Sequence, residues 1–306
     1  MSDFSATDVA FTGFGFARQH LRTMGIWAGV QLLVTIVLGA LMLALLGPAM
    51  ADLQGLGQGA RTDPQQALAV VRRLMPFYGL MILFALAFYP ILYAAMNRAV
   101  LRPEDDRFGY LRLGADEGRQ LLLMLLWIVV GIGLELCLGI VVAVPSLLFA
   151  LVARPFTGVG VAFGCVVGVG GLIYIVVRLS LGSALTFERQ RVDLFGSWAL
   201  TRDRFWKMFG AYVLAFVMAF IIGIIGGIFS FAFSAAAGGG IGLSTMFVRP
   251  PVTTMAGLFA LPSLFGMLIS ALITPLTWAL IMMPAPAIYR HLSGAADPAL
   301  DPATFD

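Results

Sequence analysis

Residues 195–214 read FGSWALTRDRFWKMFGAYVL. Four charged residues, Arg202, Asp203, Arg204 and Lys207, fall within six positions, and Trp198 and Trp206 lie on either side of Arg204. The chain as a whole is only 11% charged, and an apolar run begins at once after the cluster. Leu194, Phe195, Trp198 and Ala199 share one face of a helix and can dip into a headgroup boundary. Trp favours that depth. Thr201 is placed to cap the next helix, and Asp203 to sit in its first turn, where negative charge favours the macrodipole. The stretch therefore reads as an elbow, where the chain stops lying on a membrane and starts to cross it.

Composition agrees. The chain has 306 residues, is 60% hydrophobic and has a mean hydropathy of +0.95. A water-soluble domain carries far more polar surface. A formal charge of +3 is too small to suggest a nucleic-acid partner. Six apolar runs are long enough to cross a hydrocarbon core of ~30 Å. They are Gly25–Leu46, Leu74–Met96, Leu121–Leu151, Phe156–Leu179, Phe205–Ala237 and Thr254–Ile288. Their continuity, without alternation, excludes a β-barrel. The first run is too long for a signal-peptide core and follows an acidic N-terminus, so a retained span is expected. The third run exceeds one crossing, and Pro145 offers it a bend. Pro262, Pro275, Pro284 and Pro286 predict kinks in the sixth. Cys137 and Cys165 lie inside apolar runs and read as small core residues.

Arginine orients the chain. Arg18, Arg22, the 98–119 connection, the 178–207 connection and Arg290 place fourteen basic residues on one side, against five on the other. The positive-inside rule puts the fourteen, and both termini, in the cytoplasm.

The elbow recurs. FGYLRLGADEGRQLLLMLLW, from Phe108, matches it at an offset of 87, with Leu113 against Leu200 and Asp116 against Asp203. Here Gly114 ends the short helix and Asp116 restarts it. A weaker copy, FGFARQHLRTMGIWAGVQLL, starts at Phe14; a second register aligns Thr23 with Thr201. The expected fold is an all-α integral membrane protein with six transmembrane helices, built as three repeats of a short interfacial amphipathic helix plus a helical hairpin. It forms one domain over residues 1–292, with units at about 10–98, 104–183 and 190–292, followed by a disordered acidic, Pro-containing tail at 293–306.

Arg178, the core Ser197-Trp198-Ala199-Leu200-Thr201 and the opening Arg204-Phe205-Trp206 together resemble a known pattern. It is that of the multi-helix membrane domain associated with bacterial glycerophosphoryl diester phosphodiesterases. The likeness is sharp over residues 174–214 and architectural over 1–292. It implies a bacterial inner-membrane protein. The family's catalytic barrel, with its His and paired carboxylates around a divalent metal, has no counterpart here. A stand-alone membrane module without cofactor, metal site or catalytic residues is therefore expected.

Glu135, in VVGIGLELCLGIVV (129–142), is the one carboxylate deep in an apolar run and hence the intramembrane functional candidate. Gly131 and Gly139 flank it on one face, which predicts a neighbouring helix against it. Gly160, Gly164 and Gly168 form a second face suited to tight packing. Arg98 and Arg178, each near a Tyr at a span end, together with Trp198, Arg202, Arg204, Trp206 and Lys207, are candidates for interface anchoring or lipid-headgroup contact. The polar connection Gly47–Arg73 reads as a mobile external loop, and 235–244 as a break after the fifth span. The leading functional expectation is a non-catalytic envelope scaffold or accessory factor that contacts lipid headgroups or a membrane or cytoplasmic protein partner. The alternative is a transporter of a small or lipid-like solute using Glu135. Fused behind Asp306, a reporter active only in the cytoplasm should give signal, and one active only in the periplasm should stay dark.

Overall fold

The computed structural model describes residues 4–56, 64–152, 154–236 and 254–293. Within them the chain is all helix, and six helices are long and apolar enough to cross a membrane. The long helices are α2 (Leu21–Leu56), α3 (Pro64–Leu101), α4 (Ala115–Val152), α5 (Thr157–Leu179), α8 (Phe205–Ala236) and α9 (Leu261–Met282). Shorter helices cluster where α3 and α5 end and α4 and α8 begin. These are α1 (Ala6–Gln19), α6 (Gly182–Arg189), α7 (Gly196–Leu200) and α10 (Pro284–Ser293), with a 3-10 turn at Arg107–Tyr110.

Each boundary has a local cause. Ser5 caps α1 by accepting from the Asp8 N–H, with Asp8 in the first turn and Arg18 in the last. Asp116 and Glu117 occupy the first turn of α4. Pro284 opens α10 after a break at Met283, so the expected interruption falls there, whereas Pro275 lies within continuous α9. α4 also runs unbroken through Pro145. Its 38 residues correspond to ~57 Å of helix, well beyond one hydrocarbon thickness.

One expectation is corrected at this level. The connection Gly47–Arg73 is largely helical, because α2 continues to Leu56 and α3 begins at Pro64; only 57–63 lies outside the described residues. The break at 235–244 and the tail lie outside them too, apart from the end of α8 at 235–236 and Ser293, which ends α10.

The main core sits at the elbow end. Phe16, Trp27, Met96, Tyr110, Leu185, Met208 and Ile288 meet there. Around it α3, α8 and α9 form the inner layer and are more buried than α2 and α4. α1 does not lie on the surface as a free amphipathic helix. It docks against α8, α9 and α10. A Cβ at Gly13 would come within 2.7 Å of the Ala279 backbone, so glycine is what allows that approach.

The α4–α5 hairpin is held by the predicted glycine face. Cβ atoms at Gly160, Gly164 and Gly168 would meet the Pro145 carbonyl at 2.7 Å, Val142 Cα at 2.7 Å and the Leu138 side chain at 2.3 Å. With no hydrophobic drive between helices in lipid, this backbone-to-backbone packing is what joins them. The other glycine face is open: nothing lies within 4 Å of a Cβ built at Gly131 or Gly139. Gly164→Val should therefore destabilise the detergent-solubilised protein by about 1–3 kcal/mol in thermal unfolding, while Gly139→Val should change it by no more than about 0.5 kcal/mol.

Candidate functional site

Where α3 and α5 end, their last arginines turn inward. Arg98 is 2% exposed. It donates to the Tyr110 carbonyl and, at 2.8 Å, to Glu117 Oε1; Asp116 and Asp105 lie 3.5 and 3.8 Å from its guanidinium nitrogens. Arg178 is 6% exposed and has no carboxylate partner among the described residues. Its guanidinium donates to the carbonyls of Trp198 (2.8 Å) and Thr201 (3.1 Å) and lies 4.6 Å from the centre of the Trp198 ring. These carbonyls end α7, where the helix leaves acceptors unsatisfied. In return, the Arg178 carbonyl accepts from the hydroxyls of Ser197 (2.7 Å) and Thr201 (3.1 Å). Arg290 reaches the Val100 carbonyl at the end of α3. Three spans thus end in an arginine that satisfies backbone acceptors of another segment.

The loop before α7 is similarly bound. Asp193 accepts from the Gly196 N–H at 2.9 Å and from Arg189 at 2.7 Å. Burial alone pushes its carboxyl upward, but the Gly196 N–H and the Arg189 and Arg191 charges outweigh this and hold it below the usual carboxylate range.

Above this lattice, the α4–α5 hairpin diverges from α3, α8 and α9 around a partly open cavity of about 720 Å³. Its floor is polar. Asn97 Nδ2 donates to Ser183 Oγ at 2.8 Å, Ser183 Oγ donates to Gln120 Oε1 at 2.9 Å, and Gln120 Nε2 donates to the Ser183 carbonyl at 2.9 Å. Ser180 Oγ donates to the Val177 carbonyl, so Tyr212 supplies the proton in their 2.7 Å contact. The walls are apolar and aromatic, including Leu123, Met124, Trp127, Val177 and Phe216. Trp127 lies seven residues beyond Gln120, so the sleeve reaches ~10 Å above the floor. The volume lies in the ~300–1,000 Å³ range of small-molecule sites.

The candidates from sequence fall into three places. Arg98 and Arg178 are buried and engaged with protein acceptors, which takes them away from both interface anchoring and headgroup contact. Arg202 and Trp206 are 82% and 78% exposed; Trp198 and Lys207 are exposed and Arg204 is partly so. Phe195 is exposed beside them, while Leu194 turns into the core. Glu135 faces outward on α4, away from the cavity lining, which corrects the expectation that another helix of the chain covers it. Cys137 and Cys165 also face outward rather than into the core. Thr201 closes α7 instead of capping α8, its hydroxyl serving the Ser197 and Arg178 carbonyls. Asp203, with φ +64°, precedes α8 in a turn and is not in its first turn. Among the described residues no three His, Cys, Asp or Glu side chains group as a metal site.

Sequence reasoning missed Asn97, Gln120, Ser183 and Tyr212. Their signal was positional: two carboxamides and two hydroxyls close to the same elbows as the arginines. No family model, curated protein or solved structure matches the chain. Arg178→Ala should lower unfolding stability by about 2–4 kcal/mol, because it removes two charge-assisted hydrogen bonds to the buried end of α7 and the packing of the guanidinium on Trp198. Arg202→Ala should shift it by less than about 0.5 kcal/mol in the same denaturation assay.

Proposed function

We propose that this chain is a non-catalytic accessory protein of the bacterial inner membrane that holds one lipid-like amphiphile in the cavity between the α4–α5 hairpin and α3, α8 and α9. The observation that carries this reading is the lining itself, with a hydrogen-bonding floor at the elbow end and an apolar, aromatic sleeve rising from it. A molecule with one polar end and one oily end matches that gradient. Among the described residues the lining contains no carboxylate, histidine, cysteine or cation, which favours holding a molecule over transforming it. The exposed basic and aromatic elbow, Trp198, Arg202, Arg204, Trp206 and Lys207, supports a second contact, with anionic headgroups at the cytoplasmic face. That orientation rests on the arginine asymmetry, and the inner-membrane placement on the resemblance carried by residues 174–214.

A transporter working through Glu135 has no support in the geometry, since that carboxylate lies outside the cavity. Purified in mild detergent and examined by native mass spectrometry, the wild-type chain should carry one lipid-sized adduct. Met124→Trp, which fills the sleeve from α4, should lower adduct occupancy at least about fivefold while thermal stability stays within about 1.5 kcal/mol. An unchanged adduct population in that variant would remove the cavity from the account.

A further inference from the structure

The floor of the cavity is uncharged because of where two neighbouring cations go. Arg98 directly follows the floor residue Asn97, and Arg178 directly follows Val177. Both guanidinium groups turn away from the cavity. Arg98 is held by Tyr110, Glu117 and Asp116, and Arg178 by the Trp198 and Thr201 carbonyls. No cation therefore lines the site among the described residues. A phosphate drawn into this sleeve would shed its water and meet no counter-charge, which is costly in an apolar setting.

The polar groups that remain suit a neutral head. The Asn97–Ser183–Gln120 array uses one N–H of each carboxamide, the Gln120 oxygen and the Ser183 proton. Left over, among the hydrogen bonds of the described residues, are the Asn97 Oδ1 acceptor, spare lone pairs on Gln120 Oε1 and the Tyr212 oxygen, and the second N–H of each carboxamide. Neutral donors beside neutral acceptors fit a hydroxyl next to an ester or amide carbonyl. Tyr89 and Tyr93 line the cavity five to nine residues before Arg98 on α3, so their hydroxyls lie along the sleeve instead of at its floor.

Resting on the binding role proposed above, we infer that the amphiphile is an uncharged lipid whose head carries a hydroxyl and a carbonyl, with its tails running past Trp127 and Phe216 into the bilayer. The neutral floor selects against phospholipids, the most abundant amphiphiles around it. The arginines that build the elbows are thereby withheld from the ligand.

The test is competitive native mass spectrometry on the full chain in neutral detergent, with equal amounts of three lipids of the same tail length. The probes are dioctanoylglycerol, dioctanoyl phosphatidylcholine and dioctanoyl phosphatidylglycerol. Dioctanoylglycerol should be retained at least about tenfold over either phospholipid, and Met124→Trp should suppress its retention. Retention of a phospholipid at an equal or higher level, itself suppressed by Met124→Trp, would overturn the neutral-head assignment and leave the binding role standing. Failure to retain any of the three would overturn both. Retention of dioctanoylglycerol that Met124→Trp leaves untouched would overturn the assignment of the neutral floor as its site. The assay uses the wild-type chain for its selectivity arm, so no variant has to fold for the head-group result to be read.

Discussion

A chain that crosses oil and turns back must satisfy its backbone carbonyls wherever a helix stops. Here that task falls to guanidinium groups. Arg178 closes the end of α7, Arg98 spans Tyr110 and the first turn of α4, and Arg290 serves the end of α3. Each bond ties the end of one span to a different segment, so the three fix how the helices emerge from the elbow end. Phe16, Trp27, Tyr110 and Met208 then pack around that frame. Arginine suits the work because its planar donors reach two acceptors at once and it keeps its charge when buried.

The cavity follows from the same arrangement. Glycines weld α4 to α5 along Gly160, Gly164 and Gly168, and the pair meets the rest of the bundle mainly through α3 and, at α5, through α8. Space opens between the two bodies above the lattice. The polar residues at its base, Asn97, Gln120 and Ser183, bond chiefly to one another and hold the junction of α3, α4 and α6. Structure and recognition share the same side chains there: the groups that define the floor also brace it.

Much of the architecture was legible in the sequence because the constraint imposed by lipid is local. A run of apolar residues must become a helix whatever surrounds it, and so the six spans, the opening of α4 around Asp116 and the interruption at Pro284 are readable residue by residue. The glycine face of α5 was legible for a related reason, since small residues four apart have few other uses in a membrane. What could not be read was direction. Glu135 and Gly160 both lie on glycine-bearing faces of long apolar helices, yet one faces outward and the other meets the backbone of α4. That choice is made by the rest of the bundle. Arg98 and Arg178 carry the same ambiguity, because a span-ending arginine serves headgroups or carbonyls according to whether an elbow folds back over it. The cavity needed five long helices in register before it existed at all, and Ser180, Ser183 and Tyr212 carry no signal until they converge.

The seat of α1 carries a consequence for biosynthesis. This helix precedes the six spans in sequence, but the Ala279 backbone against which Gly13 closes belongs to α9. Until α9 is inserted, Val9 and Phe16 have no completed groove to enter. The seat of α1, begun against Trp27 and Tyr110 and continued against α8, is therefore completed only when α9 is in place. The fold closes like a clasp whose two halves lie far apart along the chain.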